Sequence, residues 1–124
     1  MTDLKDRPLT LLVDVDGCLL KHDGDIINQV NQNKVLPGVL EFWKKIDRKG
    51  AQIILITGRR ESQRKATEKI LSELGIFYDK LIMGVTSGKR ILINDRKPDS
   101  DEDTAIAINL TRNQGLENID INDL

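Results

Sequence analysis

The chain has 124 residues, of which 39% are hydrophobic and 31% are charged. This length and balance predict one globular domain, 1–124, with a core of its own. Nineteen basic and twenty acidic residues give a net charge of −1, and only 3% of residues are aromatic. Neither the charge nor the scarce aromatic residues favour nucleic acid as a partner.

No apolar run approaches the roughly 20 residues of a membrane helix. The first residues, Met1–Lys5, have neither the basic start nor the apolar stretch of a secretory signal. We therefore expect a cytoplasmic protein that does not act at a membrane. A single cysteine, Cys18, and a single histidine exclude a disulfide framework and a zinc finger. Carboxylates must then supply any metal site, which favours Mg²⁺.

Short apolar runs alternate with helical patterns along the chain. Mostly apolar runs are typical of parallel strands that are covered on both faces. The first predicted helix has Pro37 as its first residue and runs to Gly50, and the second carries an apolar stripe over 66–74 and is capped by Gly75. The predicted strands are 9–13, 52–56, 80–83, 90–93 and 105–110. This order predicts an α/β fold with a Rossmann-like parallel sheet of about five strands and few helices.

The segment of about 18–36 interrupts this alternation. It contains an Asp23-Gly24 turn between apolar flanks, which is a hairpin signal. We therefore predict a small β-hairpin flap here and no second domain. Cys18 stands at its start, and nothing nearby predicts a lowered thiol pKa, so we interpret this residue as packing rather than reactive.

Polar residues follow three of the predicted strands. They are Asp14-Val15-Asp16-Gly17, Thr57-Gly58-Arg59 and Asn94-Asp95. Ligands of open parallel sheets bind beyond the carboxyl ends of the strands, where these residues would meet. Asp14 and Asp16 are two residues apart, so their side chains point the same way in extended backbone. Three carboxylates, a hydroxyl and a Gly-Arg turn predict a site for magnesium and phosphate.

These segments resemble the motifs of the haloacid dehalogenase (HAD) superfamily. Leu11–Leu19 is similar to the first motif, a strand followed by Asp-x-Asp-Gly-x-Leu, and Ile53–Arg59 is similar to the second. Ile91–Asp99 resembles the fourth motif, an acidic cluster that closes a strand. The resemblance covers 9–110 in the right order. It implies a minimal, capless HAD-like fold and phosphoryl transfer through an aspartyl-phosphate.

The resemblance also implies a role for each matching residue. Asp14 would be the nucleophile and Asp16 the general acid and base. Asp14, the backbone carbonyl of Asp16, and Asp95 would hold Mg²⁺. Thr57, with Gly58, would bind the transferring phosphoryl group. These roles agree with elementary chemistry, because a carboxylate repels a phosphate dianion unless a divalent cation bridges them.

The sequence departs from the family pattern in two motifs. Asn94 stands where the fourth motif has glycine or aspartate, so Asp95 is the predicted metal residue. Asp99 either acts through water, supports a ligand, or belongs to a solvated acidic loop. The third motif is a phosphate-binding lysine, for which Lys89 is the candidate by order. In an extended strand Lys89 would lie roughly 20 Å from Asp95, at the far edge of the sheet.

Other cations are therefore candidates for the missing positive charge. Arg59, Arg60 and Arg112 are predicted to bind substrate, as is Asp99.

The link Gly84–Lys89 is short for the predicted topology, because its six residues join two strands that we predict to be parallel. A parallel crossover normally needs a dozen or more residues.

Three functions remain open at this point. The first is an Mg²⁺-dependent phosphomonoesterase. Tyr78–Met83, Ile93–Pro98 and Ala105–Leu110 are similar to small HAD proteins linked to bacterial capsule and surface-polysaccharide synthesis, which implies a sugar phosphate or a related small phosphate ester. Capless members act on large substrates or use a neighbouring subunit as a lid, so a homo-oligomer is one option.

The second function is that of a polynucleotide 3′-phosphatase, whose domains have Asp-Val-Asp-Gly and Thr-Gly-Arg-Arg-Glu segments similar to those here. The third is a binding or regulatory module that has kept the fold and lost catalysis. Asn94 and the missing lysine motivate this third reading. Retention of Asp14, Asp16 and Thr57 argues against it, because simple phosphate binding needs no nucleophile.

Overall fold

A parallel sheet of three strands forms the centre of the protein in a computed structural model, which describes residues 7–22 and 34–124. The strands are β1 (Thr10–Asp14), β2 (Gln52–Ile56) and β3 (Lys80–Ile82), in the order β1-β2-β3. The α/β prediction and the first three predicted strands are confirmed. Asp14 pairs with Ile56, and Ile56 with Ile82, so the three strands end level with one another.

Two helices connect these strands, as the sequence predicts. Helix α1 (Val39–Asp47) follows β1 and α2 (Arg64–Leu74) follows β2. Helix α1 begins two residues later than the Pro37 start that we expected, after Gly38 in the left-handed conformation. Gly75 ends α2 with a φ of 75°, where its N–H donates to the carbonyls of the last turn, so the predicted glycine cap is confirmed.

The core lies between the sheet and the two helices. Ile53 and Leu55 of the central strand are 1% and 0% exposed, whereas Leu12 of β1 is 53% exposed. Trp43 of α1 is buried, and its indole Nε1 donates a hydrogen bond of 2.8 Å to the carbonyl of Phe77. The largest fully buried side chains include Trp43, Leu19, Leu20, Ile46, Ile53, Leu55, Leu71 and Ile76.

The prediction of about five strands is not confirmed. Residues 90–93 and 105–110 form no strand, and Ile91 and Ile93 are 77% and 90% exposed. Between these segments, Asn94 Nδ2 donates to Thr104 Oγ1 at 2.8 Å, which closes a surface loop. β-Branched residues favour extended backbone whether or not a neighbouring strand is present. Apolar composition alone therefore predicted strands that lack a pairing partner.

The two ends of the predicted flap lie side by side. Leu20 forms an antiparallel bridge with Val35, and Lys21 N–H donates to the carbonyl of Lys34 at 2.8 Å. The Asp23-Gly24 turn itself lies outside the described residues. None of the helices among the described residues is long and apolar enough to cross a membrane.

Candidate functional site

The chain turns sharply where β1 ends. Val15 N–H still donates to the carbonyl of Ile56 at 2.9 Å, and Gly17 then adopts a φ of 90°. The Gly17 N–H donates to the carbonyl of Leu20 at 2.7 Å, which folds the chain back. This φ favours glycine, because a Cβ would clash in the left-handed region. The turn holds Asp14 and Asp16 at the level where β2 ends and Thr57 begins the next loop.

The carboxylate of Asp16 is enclosed by two side chains from the loop after β2. Arg59 Nη2 and Nε donate to Asp16 Oδ1 at 2.9 and 3.1 Å. Thr57 Oγ1 donates to Asp16 Oδ2 at 2.7 Å. Arg59 is fixed further by a bond of 3.1 Å from Nη1 to Thr67 Oγ1 of α2. The structure thus brings Asp16, Thr57 and Arg59 together from elements that are far apart in sequence.

Thr57 and Asp16, two of the predicted site residues, are hydrogen-bonded to each other in the structure. Thr57 is fully buried, and its one hydroxyl proton is donated to Asp16. That Thr57 binds the transferring phosphoryl group stays a prediction. Its Oγ1 also accepts the Arg59 N–H at 3.1 Å. Asp16 is held in one orientation by charge-assisted hydrogen bonds, which are the stronger kind. Thr67 belongs to this network, although its place within α2 gave no sequence signal.

Replacing Arg59 by Met is expected to lower the free energy of unfolding by about 2 kcal/mol, because the Asp16 carboxylate loses its charged hydrogen-bond partner. The side chains of this pair are 14% and 20% exposed. Arg96→Met is the matched control, because Arg96 pairs with Asp103 at 2.8 Å with 61% and 67% exposure. Urea unfolding should show a loss within about 0.5 kcal/mol for Arg96→Met. Equal losses in the two variants would contradict the argument from burial.

Asp14 has a perturbed carboxyl group. Burial raises the pKa of Asp14 above its usual 3.8, while Arg90 opposes that rise. The charge of Asp16 raises this pKa further, and His22 and Arg112 lower it. Burial therefore disfavours the ionised form of Asp14 that a nucleophile needs. The positive charges near Asp14 offset only part of this cost of ionisation, because the pKa stays raised overall. The effect of Arg90 on Asp14 had no counterpart in the sequence reasoning.

Cys18 lies beside this carboxylate pair. Burial raises the pKa of its thiol, and the charges of Asp14 and Asp16 raise it further. Its thiolate is therefore disfavoured at neutral pH, and a thiol is a poor nucleophile. That Cys18 is a packing residue stays a prediction.

Arg112 reaches this edge from the C-terminal part of the chain. A Cβ placed on Gly17 would lie 3.3 Å from Arg112 Cγ, so the stem of the arginine packs against the turn after Asp14. Asn113, the next residue, binds the backbone of His22 through its side chain. The sequence signal for both residues was their position directly after the last predicted strand.

The other predicted site residues do not join this cluster. Asp95 and Asp99 lie on the exposed segment, and Asp99 has a φ of 62° in a turn that is closed by Ser100 N–H and the Lys97 carbonyl. Arg60 is exposed before α2, and Gly58 is exposed in the loop. Across residues 7–22 and 34–124, no three His, Cys, Asp or Glu side chains lie close enough to hold a metal ion.

A cavity of about 400 Å³ lies elsewhere in the protein, between α1 and the C-terminal segment. Gly38, Phe42 and Leu116 are among its lining residues, and none of the predicted site residues lines it. This cavity is therefore separate from the cluster around Asp16.

Comparison with known proteins defines the class to which this fold and site belong. Residues 24–117 match the family described as the HAD superfamily, subfamily IIIB (acid phosphatase). The chain belongs to this family of the HAD superfamily. The matched span begins after Gly17, so the assignment of Asp14 and Asp16 depends on their motif and on the geometry described above.

Two solved structures are similar to this chain. One is titled "Structure of the Pnkp1/Rnl/Hen1 RNA repair complex", with 31% identity over 67% of this chain and 28% of that chain, and a TM-score of 0.51. The other, "Structure of Pnkp1/Rnl/Hen1 complex", has 30% identity over 68% and 30% of the two chains and a TM-score of 0.50. The chain thus spans less than a third of each of these relatives. A search of curated proteins returned no match.

Proposed function

We propose that this phosphatase hydrolyses phosphate monoesters through an aspartyl-phosphate formed on Asp14, with Mg²⁺ as its cofactor. One observation carries the proposal most directly. The nucleophile candidate Asp14 ends β1 at the same edge of the sheet where Asp16, Thr57 and Arg59 form one hydrogen-bonded cluster. Family membership supports the reaction class, and the chemistry of the residues supports their roles.

The two aspartates have different environments, as a division of labour requires. Asp14 accepts the phosphoryl group, and charges from Arg90, His22 and Arg112 offset the cost of its ionisation. Asp16 in its protonated form gives its proton to the leaving-group oxygen as the P–O bond breaks, and the resulting carboxylate takes a proton from the water that then hydrolyses the aspartyl-phosphate. Thr57 and Arg59 hold Asp16 in place, so this carboxyl exchanges one of these bonds for the substrate oxygen when it acts.

The described residues supply only part of the predicted Mg²⁺ site. Asp14 and the backbone carbonyl of Asp16 lie at the sheet edge, whereas Asp95 lies on the exposed loop that follows 90–93. Oxygen donors of this kind suit Mg²⁺, which keeps several of its waters. When bound, the cation would neutralise charge between the carboxylate and the phosphate.

Removal of metal tests this part of the proposal. We expect EDTA to abolish phosphate release and added Mg²⁺ to restore it. Asp95→Asn should raise the Mg²⁺ concentration for half-maximal activity by at least about tenfold, because a charged ligand is lost. Asp101→Asn, in the same exposed segment, is the control and should leave that concentration unchanged. An unchanged Mg²⁺ requirement in Asp95→Asn would remove Asp95 from the ligand set.

Two substrate classes remain candidates. The resemblance to capsule-linked HAD proteins supports a sugar phosphate or a related small phosphate ester. The similarity to chains of an RNA repair complex supports a 3′-phosphorylated polynucleotide, the second candidate. The net charge of −1 gives no general attraction to nucleic acid, so a polynucleotide would have to be held by cations at the site. A cytoplasmic location and a lid from a neighbouring subunit stay predictions.

Phosphate release from a panel of substrates distinguishes these functions. The panel holds sugar phosphates, nucleotides and 3′-phosphorylated oligonucleotides, each assayed with Mg²⁺ and with Asp14→Asn as the blank. Turnover of one class above the blank identifies the substrate class, and a steep loss of oligonucleotide turnover with salt would mark phosphate contacts. Mg²⁺ and phosphate binding with no release from any substrate would instead favour the binding module.

A further inference from the structure

The turn 111–115 is bound directly to the loop that follows Asp14. Asn113 N–H donates to the carbonyl of Gly17 at 2.8 Å. The Asn113 side chain makes two more bonds, in which Oδ1 accepts the His22 N–H and Nδ2 donates to the His22 carbonyl, both at 2.8 Å. A side-chain amide thus pairs with the backbone of His22 much as a neighbouring strand would. All three bonds join segments that are distant in sequence.

The same turn is fixed at its other end. Leu116 is 4% exposed, and its N–H donates to the carbonyl of Pro37 at 2.9 Å. Gly115 lies so close to Pro37 that a Cβ would fall 2.1 Å from the proline carbonyl oxygen. Asn113 has a φ of 65°, a conformation that Asn adopts more readily than most residues. The position of the turn is therefore determined at both ends and is independent of any bound ligand.

This turn places Arg112 at the nucleophile. The arginine stem packs on Gly17, with Cγ and Nε at 3.3 and 3.8 Å from a Cβ built there, while the residue as a whole stays exposed. Gly17 is three residues after Asp14, in the turn that holds Asp14 at the edge of the sheet, so the packed stem brings the Arg112 guanidinium to that edge. Arg112 is thus held by its stem and presents its charge at an open surface beside Asp14.

The other two arginines suggested by the sequence are placed differently. The guanidinium of Arg59 is engaged by Asp16 and Thr67. Arg60 starts the turn before α2, where its backbone N–H donates to Gln63 Oε1 at 3.0 Å. Neither has the combination found for Arg112, a packed stem and an exposed position beside the nucleophile.

We propose that Arg112 binds the anionic phosphate of the ligand at the Asp14 edge, and that Asn113 is the positioning residue that holds Arg112 there. The inference rests on the proposed function, because it assigns a binding residue to that same site. Arg112 acts by direct contact with phosphate oxygens, which its planar fork suits. Asn113 acts only through the turn that it anchors.

The test measures binding of inorganic phosphate to the intact chain with Mg²⁺ present, by calorimetry, so that it does not depend on turnover. Arg112→Met keeps the stem and removes the charge. Asn113→Gly tolerates the left-handed φ and removes only the side-chain bonds to His22. Arg48→Met is the control, because Arg48 is an exposed arginine directly after the last residue of α1. Thermal unfolding of each variant verifies that it remains folded.

We expect Arg112→Met and Asn113→Gly each to weaken phosphate binding by about tenfold or more, with Arg48→Met unchanged. The double variant should bind no more weakly than Arg112→Met alone, because residues that act through one another are not additive. With a hydrolysable ester, kcat/KM should fall by at least the same factor in both variants and stay unchanged in Arg48→Met.

Two results would overturn the inference. Phosphate binding that is unaffected by Arg112→Met would remove Arg112 from the site, and losses that add in the double variant would show that Asn113 does not act through it. Either result leaves the proposed hydrolase intact if the wild type still turns over an ester. Conversely, Arg112-dependent phosphate binding with no turnover would retain the inference and reject the proposed hydrolysis.

Discussion

Replacing Asp14 by Asn will lower phosphate release by about 10⁴-fold or more, because an amide cannot form the acyl-phosphate through which the reaction is proposed to pass. The substitution keeps the size and shape of the side chain at the end of β1. It also removes a charge that burial penalises, since burial raises the pKa of Asp14 above 3.8. Loss of activity should therefore come without loss of stability.

The sign of the stability effect follows from proton linkage. The folded protein binds the Asp14 proton more tightly than the unfolded chain does, so ionisation of Asp14 lowers stability as pH rises from the usual value of 3.8 through the raised pKa. At neutral pH, Asp14→Asn should be at least as stable as the wild type. The difference between the two proteins should shrink on acidification towards pH 3.8.

Phosphate release and urea unfolding, measured on the same preparations, check both statements. Asp101→Asn is the control for a lost surface carboxylate and should change neither quantity. Residual turnover within about tenfold of the wild type would show that Asp14 is not the nucleophile. A marked loss of stability would show that the ionised carboxylate is needed by the fold, contrary to the burial argument.

Gly115→Ala is expected to have the largest effect on folding, a loss of about 3 kcal/mol or more in the free energy of unfolding. Gly115 has a φ of 83°, and an added Cβ would lie 2.1 Å from the Pro37 carbonyl oxygen and 2.9 Å from Pro37 N. Neither contact can be relieved by a side-chain rotation, because both partners are backbone atoms. The turn that carries Arg112 and Asn113 would have to move.

Two other glycines separate the sources of this cost. Gly75 has a φ of 75° with nothing within 4 Å of an added Cβ, so Gly75→Ala should cost only the left-handed penalty of about 1 kcal/mol. Gly88 has open space and no positive φ, so Gly88→Ala should stay within about 0.5 kcal/mol of the wild type. Urea unfolding of the three variants gives the ranking. Equal losses for Gly75→Ala and Gly115→Ala would contradict the argument from close approach.

Features that depend on neighbouring residues could be predicted from the sequence. The apolar runs at β1, β2 and β3 are strands, and Gly75 ends α2 as predicted. The buried side of α1 is harder to predict from the pattern alone, since Leu40 is 39% exposed and Phe42 is 7% exposed. Helical periodicity identifies a helix, but the angle at which it meets the sheet decides which residues are covered.

The parallel strands also explain why part of the site could be predicted. The carboxyl ends of parallel strands lie at one edge, so Asp14, Asp16 and Thr57 had to meet once the strands were assigned. Their mutual bonds were not predictable, because the direction of each side chain depends on its surroundings. Thr57 donates to Asp16, and Arg59 encloses the same carboxylate instead of facing the open edge.

The sequence by itself indicated the superfamily of this protein, because the Asp-x-Asp-Gly turn and the strands around it are local patterns, and it left the activity open among three functions. Only the tertiary structure showed that 90–93 forms no strand, since pairing needs a partner that composition does not reveal. Only the tertiary structure also showed that Asn113 binds His22, 91 residues away, and that the stem of Arg112 packs against Gly17 in the turn after Asp14. Such contacts arise from how distant segments pack together, and no local pattern in the chain records them.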